Sequence, residues 1–104
     1  MARLTGRNIN NNSVATLSST ALNASTSTKI CDACSNGCRF SLIVTNPSSQ
    51  DVWLKLQAAS VDDDKKGIYL PKKSHWEMQV DNIYVGEISA ISDSGSPTIY
   101  VTTY

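Results

Sequence analysis

The residues with the most chemistry in this chain are crowded into Cys31-x-x-Cys34-x-x-x-Cys38, with a single histidine, His75, far downstream. Thiolate sulfurs and an imidazole nitrogen are the ligands of tetrahedral zinc, and a Cys-x-x-Cys pair is the usual first half of such a site. Cys31, Cys34, Cys38 and His75 are therefore the candidate metal ligands, and zinc is the cofactor they would take. Closing the set requires the segment before residue 38 to fold back along the strand that carries His75, and the metal would then help a small fold that lacks core. The competing reading has no cofactor: thiols in a Gly-containing hinge, with one disulfide that forms in an oxidising medium.

Other routes to chemistry are thinner. One histidine and no Gly-x-Ser-x-Gly turn argue against a serine triad, and a cysteine nucleophile would have to borrow His75 as its base. Asp51, Glu77, Asp81, Glu87 and Asp93 fall at strand ends or on polar faces and form no recognisable acid–base pair. Asp62-Asp63-Asp64 lacks the spacing and the closing Glu of a calcium loop, and reads as a solvated turn. The chain therefore reads as a non-enzyme.

Charge narrows the partners. Nine basic residues balance nine acidic ones, so neither the electrostatic footprint of a nucleic-acid binder nor a polybasic membrane patch is expected. No run of about 18 apolar residues offers a membrane helix. The Asn, Ser and Thr that follow Arg3 and Arg7 do not make the apolar stretch of a signal peptide, which predicts a protein made in the cytoplasm.

The elements that must position these residues fall into two regions, 1–37 and 38–104. Residues 8–28 are almost all Asn, Ser, Thr and Ala, too polar to offset their own ordering entropy. The region 1–37 is expected to be an extended arm and Cys-containing hinge. Ile9, Val14, Leu17 and Leu22 are the candidate partner-binding anchors along it, ordered only when the arm lies across a neighbouring subunit.

From Cys38 the period changes to two. Phe40, Leu42 and Val44 share a face; Val52, Leu54 and Leu56 alternate with Trp53, Lys55 and Gln57; Trp76, Met78 and Val80 alternate with His75, Glu77 and Gln79. Trp53, among polar neighbours, is a further candidate contact residue. Asn46-Pro47-Ser48-Ser49, Pro71-Lys72-Lys73-Ser74 and Asp93-Ser94-Gly95-Ser96-Pro97 supply turns. Ile83 and Val85 fall out of phase with Ile88 and Ala90, which a bulge at Gly86 would restore. The closing strand runs from Thr98 to Tyr104. Such a pattern predicts an all-β fold: a small antiparallel β-sandwich or barrel of about six strands with an extended N-terminal arm. A domain of this size is marginal alone, so a homo-oligomer is expected, a trimer among the symmetric options.

The run Val44-Thr45-Asn46-Pro47-Ser48, then Val52-Trp53-Leu54, Gly67-Ile68-Tyr69-Leu70-Pro71, Trp76, Gly86-Glu87-Ile88-Ser89-Ala90-Ile91-Ser92 and Ile99-Tyr100-Val101 resembles small β-sandwich structural proteins of tailed-bacteriophage virions. The similarity covers Val44 to Tyr104. It departs at Pro71-Lys72, where such proteins often have Pro-Gly. The resemblance implies a capsid decoration or cement protein that binds the major capsid protein or other virion subunits. Two alternatives stand beside it: a head–tail connector or tail protein, and a carbohydrate-binding module of the virion that uses Trp53, Trp76 or Tyr84 as stacking platforms.

Overall fold

Alternation at a period of two is strongest where a strand buries one face, and eight segments of the described residues are strands. The computed structural model describes residues 15–34, 41–60, 65–78 and 84–103. Their elements are β1 (Thr16–Ala21), β2 (Thr28–Cys31), β3 (Leu42–Asn46), β4 (Val52–Lys55), β5 (Ile68–Leu70), β6 (Ser74–Glu77), β7 (Ile88–Ser92) and β8 (Thr98–Thr103). They form two antiparallel four-stranded sheets, in the orders β1-β8-β3-β6 and β2-β7-β4-β5. The sheets pack together as a β-sandwich. Leu42, Val44, Ile99 and Val101 from the first sheet meet Val52, Leu54, Leu70, Ile88 and Ala90 from the second, with Leu22, Ile30 and Met78 completing the core.

The sandwich begins upstream of residue 38. β1 pairs with β8 over six residues, from Thr16 opposite Thr103 to Ala21 opposite Thr98, and β2 pairs with β7. The segment expected to be an arm thus supplies one edge strand to each sheet. Leu22, expected as an anchor for a neighbour, is instead buried in the chain's own core, as is Ile30. The physical reason is that an edge strand draws its stability from backbone hydrogen bonds to the next strand, so a hydroxyl-rich sequence serves without an apolar face. The link between β1 and β2 is tied down as well. Leu22 N–H donates to Pro97 O (2.8 Å) and Ser92 N–H to Asn23 O (3.1 Å), while Asn23 Oδ1 accepts from the backbone N–H of Thr26 at 2.8 Å.

The parity break lies elsewhere than expected. Residues 84–87 are not part of a strand, and the register shift falls in β2 between Lys29 and Cys31. Ile30 faces inward by ordinary alternation with Lys29 and is buried, and the shift sets the next residue, Cys31, opposite Ile88 and against the core as well. Gly86 is required for a different reason: the Tyr84 ring folds over it, and a Cβ there would stand 2.3 Å from the Tyr84 hydroxyl. That hydroxyl lies 2.9 Å from Leu56 O and 3.0 Å from Glu87 O, so the ring cannot easily withdraw. At Gly67 the constraint is backbone against backbone, since a Cβ would lie 1.8 Å from Leu54 O across the β4–β5 pair.

β4 is shorter than the alternation predicts. It ends at Lys55, which is buried, and the following bend turns Leu56 outward to 39% exposure. On β6 the expected faces are observed: Trp76 packs against the core while His75 and Glu77 are exposed. Val80 and Ile83 lie outside the described residues.

One buried side chain organises the turns. Asn46 Nδ2 donates to Gln50 O (2.8 Å), Leu70 O (3.3 Å) and Pro71 O (3.2 Å), and its Oδ1 accepts from Ser48 N (3.2 Å) and Ser48 Oγ (2.6 Å). It thereby joins the turn after β3 to the turn after β5. In that second turn Lys73 takes the left-handed conformation, φ 59°, where glycine is the cheaper residue. Lys73 is held there by its N–H to Ser48 O (3.2 Å) and its Nζ to Pro47 O (2.9 Å).

Candidate functional site

The cysteine cluster lies at the end of β2. Cys34 is disulfide-bonded; Cys31 carries a thiol, whose Sγ donates to Asp32 O at 3.7 Å. Cys38 lies outside the described residues. Cys34 N–H donates to Val85 O at 2.8 Å, which pins the segment after β2 to the approach to β7. Lys29 Nζ and Asp32 Oδ1 form an ion pair of 2.6 Å on the surface. That hydrogen bond, and then the charge behind it, raises the Lys29 pKa and lowers that of Asp32.

His75 is placed elsewhere. β2 is one edge of its sheet, and β5, the opposite edge, is the strand of that sheet that meets β6. His75 on β6 is thus at the far side of the sandwich from Cys31 and Cys34. A disulfide-bonded Cys34 also supplies no thiolate to a metal. The described residues therefore do not bring the expected zinc ligands together. A groove of about 420 Å³ does open beside the cysteines, between Thr16, Ser18 and Thr20 of β1 and residues 30–34. Its β1 wall is lined by hydroxyls.

The carboxylates serve the framework. Asp51 Oδ1 accepts from Lys72 N at 3.1 Å, and Glu87 Oε2 accepts from Ala59 N at 3.2 Å. Asp62–Asp64 and Asp81 lie outside the described residues.

Two surfaces present aromatic groups. On the outer face of the second sheet Trp53 stands opposite Tyr69, their ring centroids 5.5 Å apart and tilted by 37°. Tyr69 is 53% exposed. Its hydroxyl pKa is raised, first by partial loss of hydration and then by hydrogen bonding to the Asp51 carboxylate, with the charges of Asp51 and Asp93 adding to it. On the outer face of the first sheet Leu17 and Tyr100 are exposed, 75% and 48%, and share a shallow depression with Ser19 and Thr102.

Of the expected contact residues, Trp53 and Leu17 are thus at the surface, Leu22 is internal, and Ile9 and Val14 lie outside the described residues. Trp76 and Tyr84 pack against the core, and Tyr84 also covers Gly86. Tyr69 and Tyr100 were missed. Strand parity carried the signal, since Tyr69 stands between Ile68 and Leu70, and Tyr100 between Ile99 and Val101, each facing away from apolar neighbours. Comparison with known proteins finds no matching family model, no matching curated protein and no matching solved structure.

Proposed function

We propose that this chain is a non-catalytic structural subunit of a tailed-bacteriophage virion, most specifically a capsid decoration protein that binds and stabilises the shell. The observation that carries the reading is the β-sandwich together with the motif order from Val44 to Val101 that resembles virion sandwiches. Several of the resembling residues have framework roles: Asn46 ties two turns, Gly67 permits the β4–β5 approach, and Gly86 lies under Tyr84. A rigid sandwich with exposed aromatic and apolar groups on two outer faces suits a subunit that works by contact. The major capsid protein is the proposed partner.

The test is to raise an antibody to the chain and to count its copies in phage particles purified from the same source. Copies in the hundreds per particle support decoration of the shell. Multiples of about six or twelve assign the chain to the neck or tail. Particles without the chain overturn the virion reading. A second reading, carbohydrate binding, is favoured by one observation: half-buried Trp53 and exposed Tyr69 form a ring pair on the outer face beside a carboxylate, a platform for the apolar face of a sugar. Glycan-array binding that disappears in Trp53→Ala would select it; silence would remove it.

A further inference from the structure

Among the described residues four strands are sheet edges: β1 and β6 in one sheet, β2 and β5 in the other. An edge presents unpaired N–H and C=O groups to any extended chain, and folded proteins blunt it with charge, proline, a bulge or short length. Three of the edges are blunted. β2 carries Lys29 and a register shift; β5 has three residues and is followed by Pro71; β6 displays His75 and Glu77. β1 has none of these devices. Thr16-Leu17-Ser18-Ser19-Thr20-Ala21 contains no charge, glycine or proline, and it pairs with β8 without irregularity. All but one of its residues are exposed, and Leu17 and Tyr100 lie next to one another on its outward side.

We infer that the free edge of β1 is an interaction surface and that its occupant is β1 of a second copy of this chain, paired antiparallel about a two-fold axis. Charge favours the copy: the strand is neutral and the chain has a formal net charge of +0, so self-pairing opposes no like charges. Symmetry favours it too. A two-fold axis perpendicular to the sheet keeps the outward faces of both copies on one side, so the two Leu17–Tyr100 patches merge as two four-stranded sheets become one. Size sets the strength. A strand of this length spans about 20 Å, and the pairing falls below the roughly 1,200 Å² of stable interfaces, which makes the dimer weak and concentration-dependent. The inference concerns the chain by itself and does not rest on the virion reading.

Analytical ultracentrifugation of the full chain from micromolar to millimolar concentration tests it. The expected result is a reversible monomer–dimer equilibrium that Leu17→Lys and Ser19→Lys each weaken at least about tenfold, by placing a charge against its own copy. Both positions are exposed, so circular dichroism and the thermal melt are expected to match the wild type; if Leu17→Lys fails to fold, Ser19→Lys alone carries the test. Glu77→Gln on β6 is expected to leave the dimer constant unchanged. A monomer at every concentration, an open-ended polymer, or variants that fold and associate as tightly as the wild type would overturn the inference.

Discussion

β7 and β1 use nearly the same small vocabulary, Ile-Ser-Ala-Ile-Ser against Thr-Leu-Ser-Ser-Thr-Ala, and have opposite fates. Every residue of β7 is buried, while β1 is exposed almost throughout. The difference is position. β7 lies between β2 and β4, with the core on one face, and on its other face Ser89 Oγ donates to Gln57 O at 3.1 Å. Among the described strands β1 has a neighbour on one side only, and its inward Thr16, Ser18 and Thr20 line a groove. A serine hydroxyl therefore means a buried contact in one strand and a hydrated edge in the other, and composition alone does not separate the two.

The comparison breaks most severely by truncation. Removing residues 1–30 takes away β1, most of β2 and the core residues Leu22 and Ile30, and is expected to abolish cooperative unfolding. Removing residues 1–14 leaves every described strand, and the melt is expected to remain cooperative. A 1–30 deletion that still melts like the full chain would show that the edges contribute little.

Point substitutions sharpen it next. Ile88→Ala empties a fully buried site in β7 and is expected to cost about 3 kcal/mol in denaturant unfolding. Leu17→Ala in β1, at 75% exposure, is expected to stay within about 0.5 kcal/mol.

Much of the sandwich was legible in the sequence because β3, β6 and β8 bury one face and keep the period-two signal that burial imposes. The first two strands were not legible. A Thr/Ser strand at an edge has no apolar stripe, and its hydrogen-bond partner β8 is remote in the chain, so local composition gave Thr16–Cys31 the look of an arm. At Gly86 the alternation points to a glycine the chain needs, but the need comes from its near neighbour Tyr84, whose ring occupies the space of the missing Cβ. The cysteine spacing suggested a metal set, but whether His75 can join it depends on strand order, which spacing does not encode. Trp53 was recognisable as a surface aromatic; its pairing with Tyr69 required the β4–β5 register.

A finer contrast lies within β7 itself. Ser89→Ala loses the hydrogen bond to Gln57 O and is expected to cost about 1 kcal/mol. Ser92 Oγ is buried without a hydrogen-bond partner among the described residues, so Ser92→Ala is expected to leave stability within about 0.5 kcal/mol of wild type or to raise it. Equal losses at both positions would mean that packing, not hydrogen bonding, sets the worth of these hydroxyls.

The smallest effect belongs to Tyr69 on the outer face. Its pKa is raised in the folded chain, so its contribution to stability is fully present below the unfolded tyrosine value of about 10 and is lost as pH climbs through the folded value. A tyrosinate absorbance titration is expected to show a smaller delay in Asp51→Asn, the part due to lost hydration being retained. An unchanged titration would remove Asp51 as a cause.

Residue-resolved amide hydrogen exchange, recorded at low and high protein concentration, tests most directly whether the first strand is a folded but open edge. The result expected is that β7 amides exchange only through global unfolding, β1 amides bonded to β8 are protected at every concentration, and the remaining β1 amides exchange quickly when dilute and slow as concentration rises. Exchange of all β1 amides at the rate of an unstructured peptide would contradict the membership of β1 in the sandwich, and with it the account of both edges.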